Sequence, residues 1–490
     1  MRKVKDMTRV LGNLQPEKVF YYFEEISRIP RGSGNEKAIS DYMVEFAKKH
    51  NLWVKQDEVN NIYIKKPATK GYENAPTVIL QGHLDMVCEK NKETDFDFEV
   101  QGLDLYTDGD FIKARGTTLG ADNGIAIAYQ MAVLADDTLV HPAIEALMTT
   151  AEETGMDGVA NLHPEYLEGK ILLNLDTDDE GEFLVSCAGG ARAHLIIEDQ
   201  WNKVSKEECA YRILINGLIG GHSGAEIHHE RANANVLMGR VLELLREKVA
   251  YEISEVSGGT KDNVITRECE VVIVTEANQY NAIAEVVEEM KANFSEEYAV
   301  QDAGICIAVS EVKAEKKLTK VATKQLIDVL LLLPNGISGM SHQISGLVES
   351  SMNIGVVQSG EDGIHVTLSI RSSMPSRKME IVRKITVLSR ILEIKCEVGA
   401  FYPAWVYEKD SEIRGIAIET YKQMYNEEPK IRAIHAGLEC GFISEKLPGV
   451  DMIAFGPNVR AIHSPEERAS ISSMQRVYTY LVELLKNIKA

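Results

Sequence analysis

Two apolar runs, residues 77–80 and 146–149, lead directly into polar residues of a kind that chemistry rather than packing selects. The first continues as Gln81-Gly82-His83-Leu84-Asp85, and the second leads to Ala151-Glu152-Glu153-Thr154. Between them lies Gly120-Ala121-Asp122-Asn123-Gly124. Short continuous apolar runs of this type read as strands buried on both faces, which belong in sheets covered by helices. A further predicted strand, residues 171–176, also ends in a carboxylate, Asp176. In open α/β sheets, sites form beyond the carboxyl ends of strands. His83, Glu152, Glu153 and Asp176 all fall there.

The surrounding pattern agrees with an α/β layered domain. Residues 17–29 and 36–50 read as amphipathic helices, the first stopped by Pro30. Strands are expected at 53–57 and 61–65, a hairpin within 96–113 around Asp108-Gly109-Asp110, and a helix of small residues at 125–134. Strand and helix alternating in this way predict a layered sheet. At 490 residues the chain also exceeds what one hydrophobic core supports, so more than one domain is expected.

After Gly189-Gly190 the texture changes. From 211 to 398 the order reads strand, helix, strand, strand, helix, strand, and then the same again. The helices fall at 232–249 and 279–294 in the first half, and at 319–333 and 376–393 in the second. Strands at 263–274 and 364–372 occupy matching places. This predicts an internally duplicated two-layer α+β unit. Residues 402–490 return to the first texture, with helices at 411–425 and 472–488 and strands at 430–433 and 451–455. The expected architecture is a catalytic domain in two segments, 1–190 and 402–490, with a mixed sheet, interrupted by an inserted α+β lid at 191–401.

Acidic residues outnumber basic ones by 74 to 53, a formal charge of −21, which repels phosphate backbones and argues against a nucleic-acid partner. The apolar run at 329–333 is far too short to span a bilayer, so no membrane partner is expected. Met1 to Asp6 is basic with no apolar stretch after it, so no secretory signal is expected. The seven cysteines are scattered and contain no C-x-x-C, which predicts reduced thiols in a cytoplasmic protein and no thiolate metal site.

The candidate chemistry lies in the His, Asp and Glu set. These ligands suit zinc or another borderline divalent ion, and one carboxylate can bridge two ions through its two oxygens. A two-metal site still needs a base to take a proton from water, and a carboxylate not used as a ligand serves. Neighbouring Glu152 and Glu153 can divide those tasks only where the chain is irregular, because adjacent residues on a regular strand point to opposite faces. Taken singly, each group has a structural alternative: a hydrogen-bonded histidine, a solvated glutamate pair, or Asp122 as a helix N-cap. Taken together, at strand ends each time, they favour a metal centre.

Gly82-His83-Leu84-Asp85, Gly120-Ala121-Asp122-Asn123-Gly124, Glu152-Glu153 and Ile462-His463-Ser464-Pro465 resemble the co-catalytic zinc metallopeptidases of the carboxypeptidase G2, acylase and carnosinase group. The longer phrases Gly116-Thr117-Thr118-Leu119-Gly120-Ala121-Asp122-Asn123-Gly124 and His435-Ala436-Gly437-Leu438-Glu439-Cys440-Gly441 resemble one branch, the bacterial aminoacyl-histidine dipeptidases. The similarity runs end to end. It implies that His83 and Asp176 bind one metal, Glu153 and His463 the other, and that Asp122 bridges them. Asp85 would orient the His83 imidazole, and Glu152 would be the general base. Within the lid, Gly220-Gly221-His222-Ser223-Gly224 matches the motif whose histidine stabilises the oxyanion. Asn263, Arg371 and Gly437 match positions that hold the substrate backbone and its terminal carboxylate. The implied cofactors are two divalent ions, zinc or else cobalt or manganese. The implied substrates are small dipeptides of the Xaa-His type, and the implied assembly is a homodimer. The same chemistry would serve an N-acyl amino acid deacylase. A non-catalytic binding protein on this fold would be expected to have lost the base or a ligand.

Overall fold

The computed structural model describes residues 9–489, so the basic stretch Met1 to Asp6 lies outside it. The described chain divides into two units: residues 9–186, 407–433 and 439–489 form one, and residues 187–406 with 434–438 form the other.

The first unit is built on an eight-stranded mixed sheet. In spatial order its strands are Trp53–Gln56, Ile62–Lys66, Ile144–Thr149, Val78–His83, Ile171–Asn174, Asp451–Ala454, Glu182–Cys187 and Lys430–Ile434. The four from Ile144–Thr149 to Asp451–Ala454 are parallel. Ile144–Thr149, Val78–His83 and Ile171–Asn174 are buried along their whole length, as their unbroken apolar runs require. Helices Glu17–Ser27, Lys37–Lys49, Ala121–Leu134, Glu412–Tyr425 and Ile471–Asn487 contribute the rest of this core. In Ala121–Leu134 every residue except Asp122 is buried. The α/β layering and the mixed sheet expected from the sequence are therefore present.

The expected hairpin is shorter than its alternating pattern. Only Leu105–Asp108 and Phe111–Ala114 pair. The alternation before them reflects Phe96 and Phe98 packing edge to face, with ring centroids 4.8 Å apart, and not a strand. Phe111–Ala114 in turn pairs with Arg468–Ser470, which pairs with Val459–Arg460. The loop 461–467 thus hangs between two paired strands.

The second unit is an antiparallel nine-stranded sheet. Its order is Cys306–Val312, Cys209–Asn216, Cys269–Thr275, Glu252–Gly258, Val348–Ser359, Gly363–Ser372, Gly189–Glu198 and Lys395–Tyr402, with Gly336–Met340 added on Val348–Ser359. Helices Ala234–Lys248, Tyr280–Glu297, Lys320–Leu332 and Pro375–Ile391 pack into its core. Within each set of four strands the spatial order is the same when read from the outer edge, fourth-first-third-second. The sets meet where Ser257 pairs with Gln358.

The repeat is not sequential as the sequence pattern implied. The first strand of the second set is Gly189–Glu198, which precedes the whole first set in the chain. Strand periodicity marks which residues face a core but carries no record of the pairing partner, so the order was hidden. The expected strand at 263–274 is likewise two pieces. Val264–Ile265 pairs with Gly221–His222, whereas Cys269–Thr275 joins the main sheet.

Candidate active site

His83 is the last residue of its strand and is 1% exposed. Its Nε2 lies 3.1 Å from Asp122 Oδ1 and 3.6 Å from Asp176 Oδ1. Asp122 turns its other oxygen to His463, with Oδ2 3.4 Å from Nε2, and His463 Nε2 is 3.0 Å from Glu153 Oε2. Two ligand triads result, His83 with Asp122 and Asp176, and Asp122 with Glu153 and His463. They share Asp122, one oxygen to each. All five residues singled out as ligands in the sequence are brought together within the first unit.

A third triad, His83 with Glu152 and Glu153, is also close enough to hold an ion. The two triads through Asp122 use every donor except Glu152. That leaves a carboxylate free beside the ligands.

The local backbone explains how neighbours divide these positions. The strand ends at Thr149, and Ala151 then adopts φ 52°, so the chain turns before Glu152 instead of continuing as a strand. A left-handed alanine costs about 1–2 kcal/mol, and its persistence beside Glu152 is of the kind found at functional sites. Asp85 fastens the turn: its Oδ1 accepts the Glu152 N–H at 3.1 Å and its Oδ2 the Glu153 N–H at 3.2 Å. The same carboxylate lies 3.3 Å from His83 Nδ1 and accepts from Ser33 Oγ at 2.8 Å. Asp85 is fully buried and holds both the imidazole and the glutamate turn. Asn123 links two other strand ends, accepting the His83 N–H at 3.2 Å and donating to Leu175 O at 2.9 Å.

Charge in this cluster is unbalanced. Burial opposes protonation of His83, yet Asp176 and Asp122 outweigh it and push the imidazole well above its usual range. Hydrogen bonds with Asp122 and Glu153 push His463 up to about 10. Glu152 is pushed well above the usual carboxylate range by burial first, then by Asp176 and Glu439. Glu153 Oε1 is buried without a hydrogen-bond partner. Four carboxylates sharing two imidazoles, one with an unpartnered buried oxygen, fit a pair of divalent cations. Such ions both neutralise and ligate this donor set.

Sequence reading gave no role to Glu439, which begins an unforeseen helix, Glu439–Lys446. Its Oε2 accepts from Gln81 Nε2 at 2.5 Å and Thr149 Oγ1 at 2.7 Å, while Asn174 Nδ2 donates to Gln81 Oε1 at 2.5 Å. Three ligand-bearing strand ends are thereby tied from behind. Burial pushes the Glu439 carboxyl up to about 7. The only sequence signal was its place inside the phrase from His435 to Gly441.

The second unit has a polar cluster of its own. His222 Nδ1 accepts the Gly224 and Ala225 N–H groups at 3.2 and 2.9 Å. The neutral ring therefore carries its proton on Nε2, a donor. Burial and the nearby Arg371 lower the His222 pKa and favour that neutral form. Asn263 is placed alongside, its carbonyl accepting the Ser223 N–H at 2.8 Å. Arg371 donates to Tyr402 Oη at 3.0 Å and pairs across the sheet with Ser351. Ser351 Oγ lies 2.8 Å from His435 Nε2. No side chain fits at Gly224, where a Cβ would lie 2.5 Å from His435 O, 2.9 Å from His222 Cε1 and 3.1 Å from Arg371 Nε. Arg371 Nε, His435 Nδ1 and Ser223 Oγ are buried and unpartnered, a concentration of unused polar atoms that suits a ligand-binding surface. Gly437 belongs to the short 434–438 segment of this unit.

His435 has a measurable consequence. Burial, aided by Arg371, lowers its pKa to about 3 from 6.5. The unfolded chain takes this proton near pH 6.5, whereas the folded chain refuses it until about pH 3. Stability is therefore lost as pH falls through that window. His435→Gln is expected to flatten the fall of unfolding free energy between pH 4 and 6 by up to about 1.4 kcal/mol per pH unit. Denaturant titrations at several pH values measure it, and an unchanged slope contradicts the assignment.

Residues 79–487 match the model of Peptidase family M20/M25/M40. The chain belongs to this peptidase family. Among its relatives, the cytosol non-specific dipeptidase of Escherichia coli (strain K12) is 37% identical over 481 residues, covering 98% of this chain and 99% of that protein. The crystal structure of aminoacylhistidine dipeptidase from Vibrio alginolyticus is similar at a TM-score of 0.91 and 36% identity, covering 98% of both chains. Aminopeptidase PepT from Bacillus cereus ATCC 10987, at 14% identity and a TM-score of 0.57 over 97% of this chain and 99% of that one, shares the fold. The family resemblance noted in the sequence motifs is thus a family membership, matched over residues in both units.

Proposed function

We propose that this family M20 chain is a di-metal dipeptidase that hydrolyses short peptides of the Xaa-His type, with tolerance for other dipeptides. The observation that carries the proposal is the donor set itself: two triads joined at Asp122, with Glu152 left over. End-to-end similarity to two dipeptidases supports it.

His83, Asp122, Asp176, Glu153 and His463 would hold the ions, zinc in this reading. When bound, such ions polarise a carbonyl and acidify water. Glu152 takes the proton from the attacking water and returns it to the nitrogen of the leaving amine. Asp85 keeps His83 and the Glu152 turn in place. His222, with its proton on Nε2, donates to the developing oxyanion. Arg371 pairs with the terminal carboxylate, since its planar fork matches both oxygens. Asn263 and Gly437 receive the substrate backbone. The scattered cysteines, with no C-x-x-C among them, and the naming of the Escherichia coli relative as a cytosol dipeptidase support a cytoplasmic protein.

Arg371→Ala is expected to raise KM by roughly 10- to 150-fold, the loss of charged hydrogen bonds worth about 1.5–3 kcal/mol. An unchanged KM for a dipeptide contradicts the carboxylate role. Assay of an Xaa-His dipeptide beside an N-acetyl amino acid tests the substrate class. The dipeptide is expected to be cleaved, and preference for the acyl substrate would make the chain a deacylase.

A further inference from the structure

Asp122 sits on a loop whose shape is set by a residue that no motif reading assigned. Glu467 is 2% exposed and closes the loop that carries His463. Its Oε2 accepts the N–H groups of Leu119 and Gly120 at 2.8 and 2.9 Å. Its Oε1 accepts those of Ala121 and Asp122 at 2.8 and 3.3 Å. Four consecutive amides at the start of helix Ala121–Leu134 thus converge on one carboxylate, where Gly120 at the N-cap has no side chain to offer.

Arg31 ties the same loop to the segment after His83 through backbone carbonyls. It is also 2% exposed, and donates from Nη1 to Leu84 O at 2.9 Å and Asp85 O at 3.1 Å, and from Nη2 to Gly120 O. A Cβ at either Gly120 or Gly124 would lie 2.5 Å from Arg31 Nη2. The two glycines flanking Ala-Asp-Asn therefore make room for the guanidinium.

We propose that Glu467 is a positioning residue for the metal centre. By joining the His463 loop to the Asp122 loop through backbone amides, it sets the separation of these two ligands. It thereby governs affinity for the ion held by Asp122, Glu153 and His463. Both its oxygens are occupied by amides, so it acts through the loops and not as a ligand. This inference rests on the di-metal reading above.

The test is calorimetric titration of the chelator-stripped full chain with Zn2+, for the wild type, Glu467→Gln, Glu467→Asp and His463→Ala. The wild type is expected to bind two ions. His463→Ala marks which step belongs to the second ion. Glu467→Gln puts an amide group against backbone donors, and is expected to weaken that same step at least tenfold while the other changes less than threefold. Glu467→Asp, which keeps the charge, is expected to recover part of the loss. Thermal unfolding of the metal-free variants separates a positional effect from loss of fold. Unchanged affinities, or both steps weakened together with a matching fall in metal-free stability, overturn the role of Glu467. A wild-type chain that binds fewer than two ions overturns the di-metal reading and this inference with it.

Discussion

Glu152→Gln is expected to retain its full metal content and lose about 10²–10⁴-fold in kcat, the range that general acid–base groups supply. Glutamine preserves the size of the side chain and its place after the left-handed Ala151, but cannot take a proton. The two outcomes of interest differ in metal content. Geometry also permits Glu152 to join His83 and Glu153 around an ion. If Glu152 were a ligand, the variant would lose an ion as well as activity. Full metal content with turnover nearly gone identifies the base, and full activity in a metal-loaded variant contradicts it.

Asp122→Ala is expected to have the largest effect on metal binding. Its Oδ1 faces His83 and its Oδ2 faces His463, so both triads lose a member at once. Removing residues that merely orient a ligand weakens metal binding by about 10–100-fold. Removing a shared ligand is therefore expected to cost more than about 100-fold at both positions. Metal analysis of the purified variant measures this, with kcat/KM falling in step. Two ions retained at wild-type affinity would show that Asp122 does not bridge.

Much of the centre was legible because metal ligands at strand ends break the apolar pattern. His83, Glu152, Glu153 and Asp176 were visible on that ground alone. The same reasoning required an irregular chain at the glutamate pair, and Ala151 provides it. His463 carried no such signal, since it lies in a loop and only its surrounding phrase pointed to it. Arg31 and Glu467 were invisible for a different reason: they act on backbone amides and carbonyls, whose identity leaves no trace in the residues they touch. Glu439 lay within a recognised phrase, but its partners Gln81 and Thr149 come from remote strands.

For the fold, burial periodicity found most of the long helices, and several strands of the first unit, within a few residues. Pairing order was not legible, because contacts between distant strands are set by the whole sheet. The early strand Gly189–Glu198 completing a later set is the clearest case. The change of partner between Val264–Ile265 and Cys269–Thr275 is another, since the strand expected from the sequence ran through both.

In the proposed reading, two cations held around Asp122 make this chain a dipeptidase. Stepwise Zn2+ addition to the metal-free protein, with bound ion and Xaa-His dipeptide hydrolysis measured on the same samples, tests it most directly. The expected result is negligible turnover without metal and a rise that reaches its maximum at two ions per chain. Full hydrolysis by the metal-free protein, or no hydrolysis of any dipeptide with two ions bound, would contradict the claim.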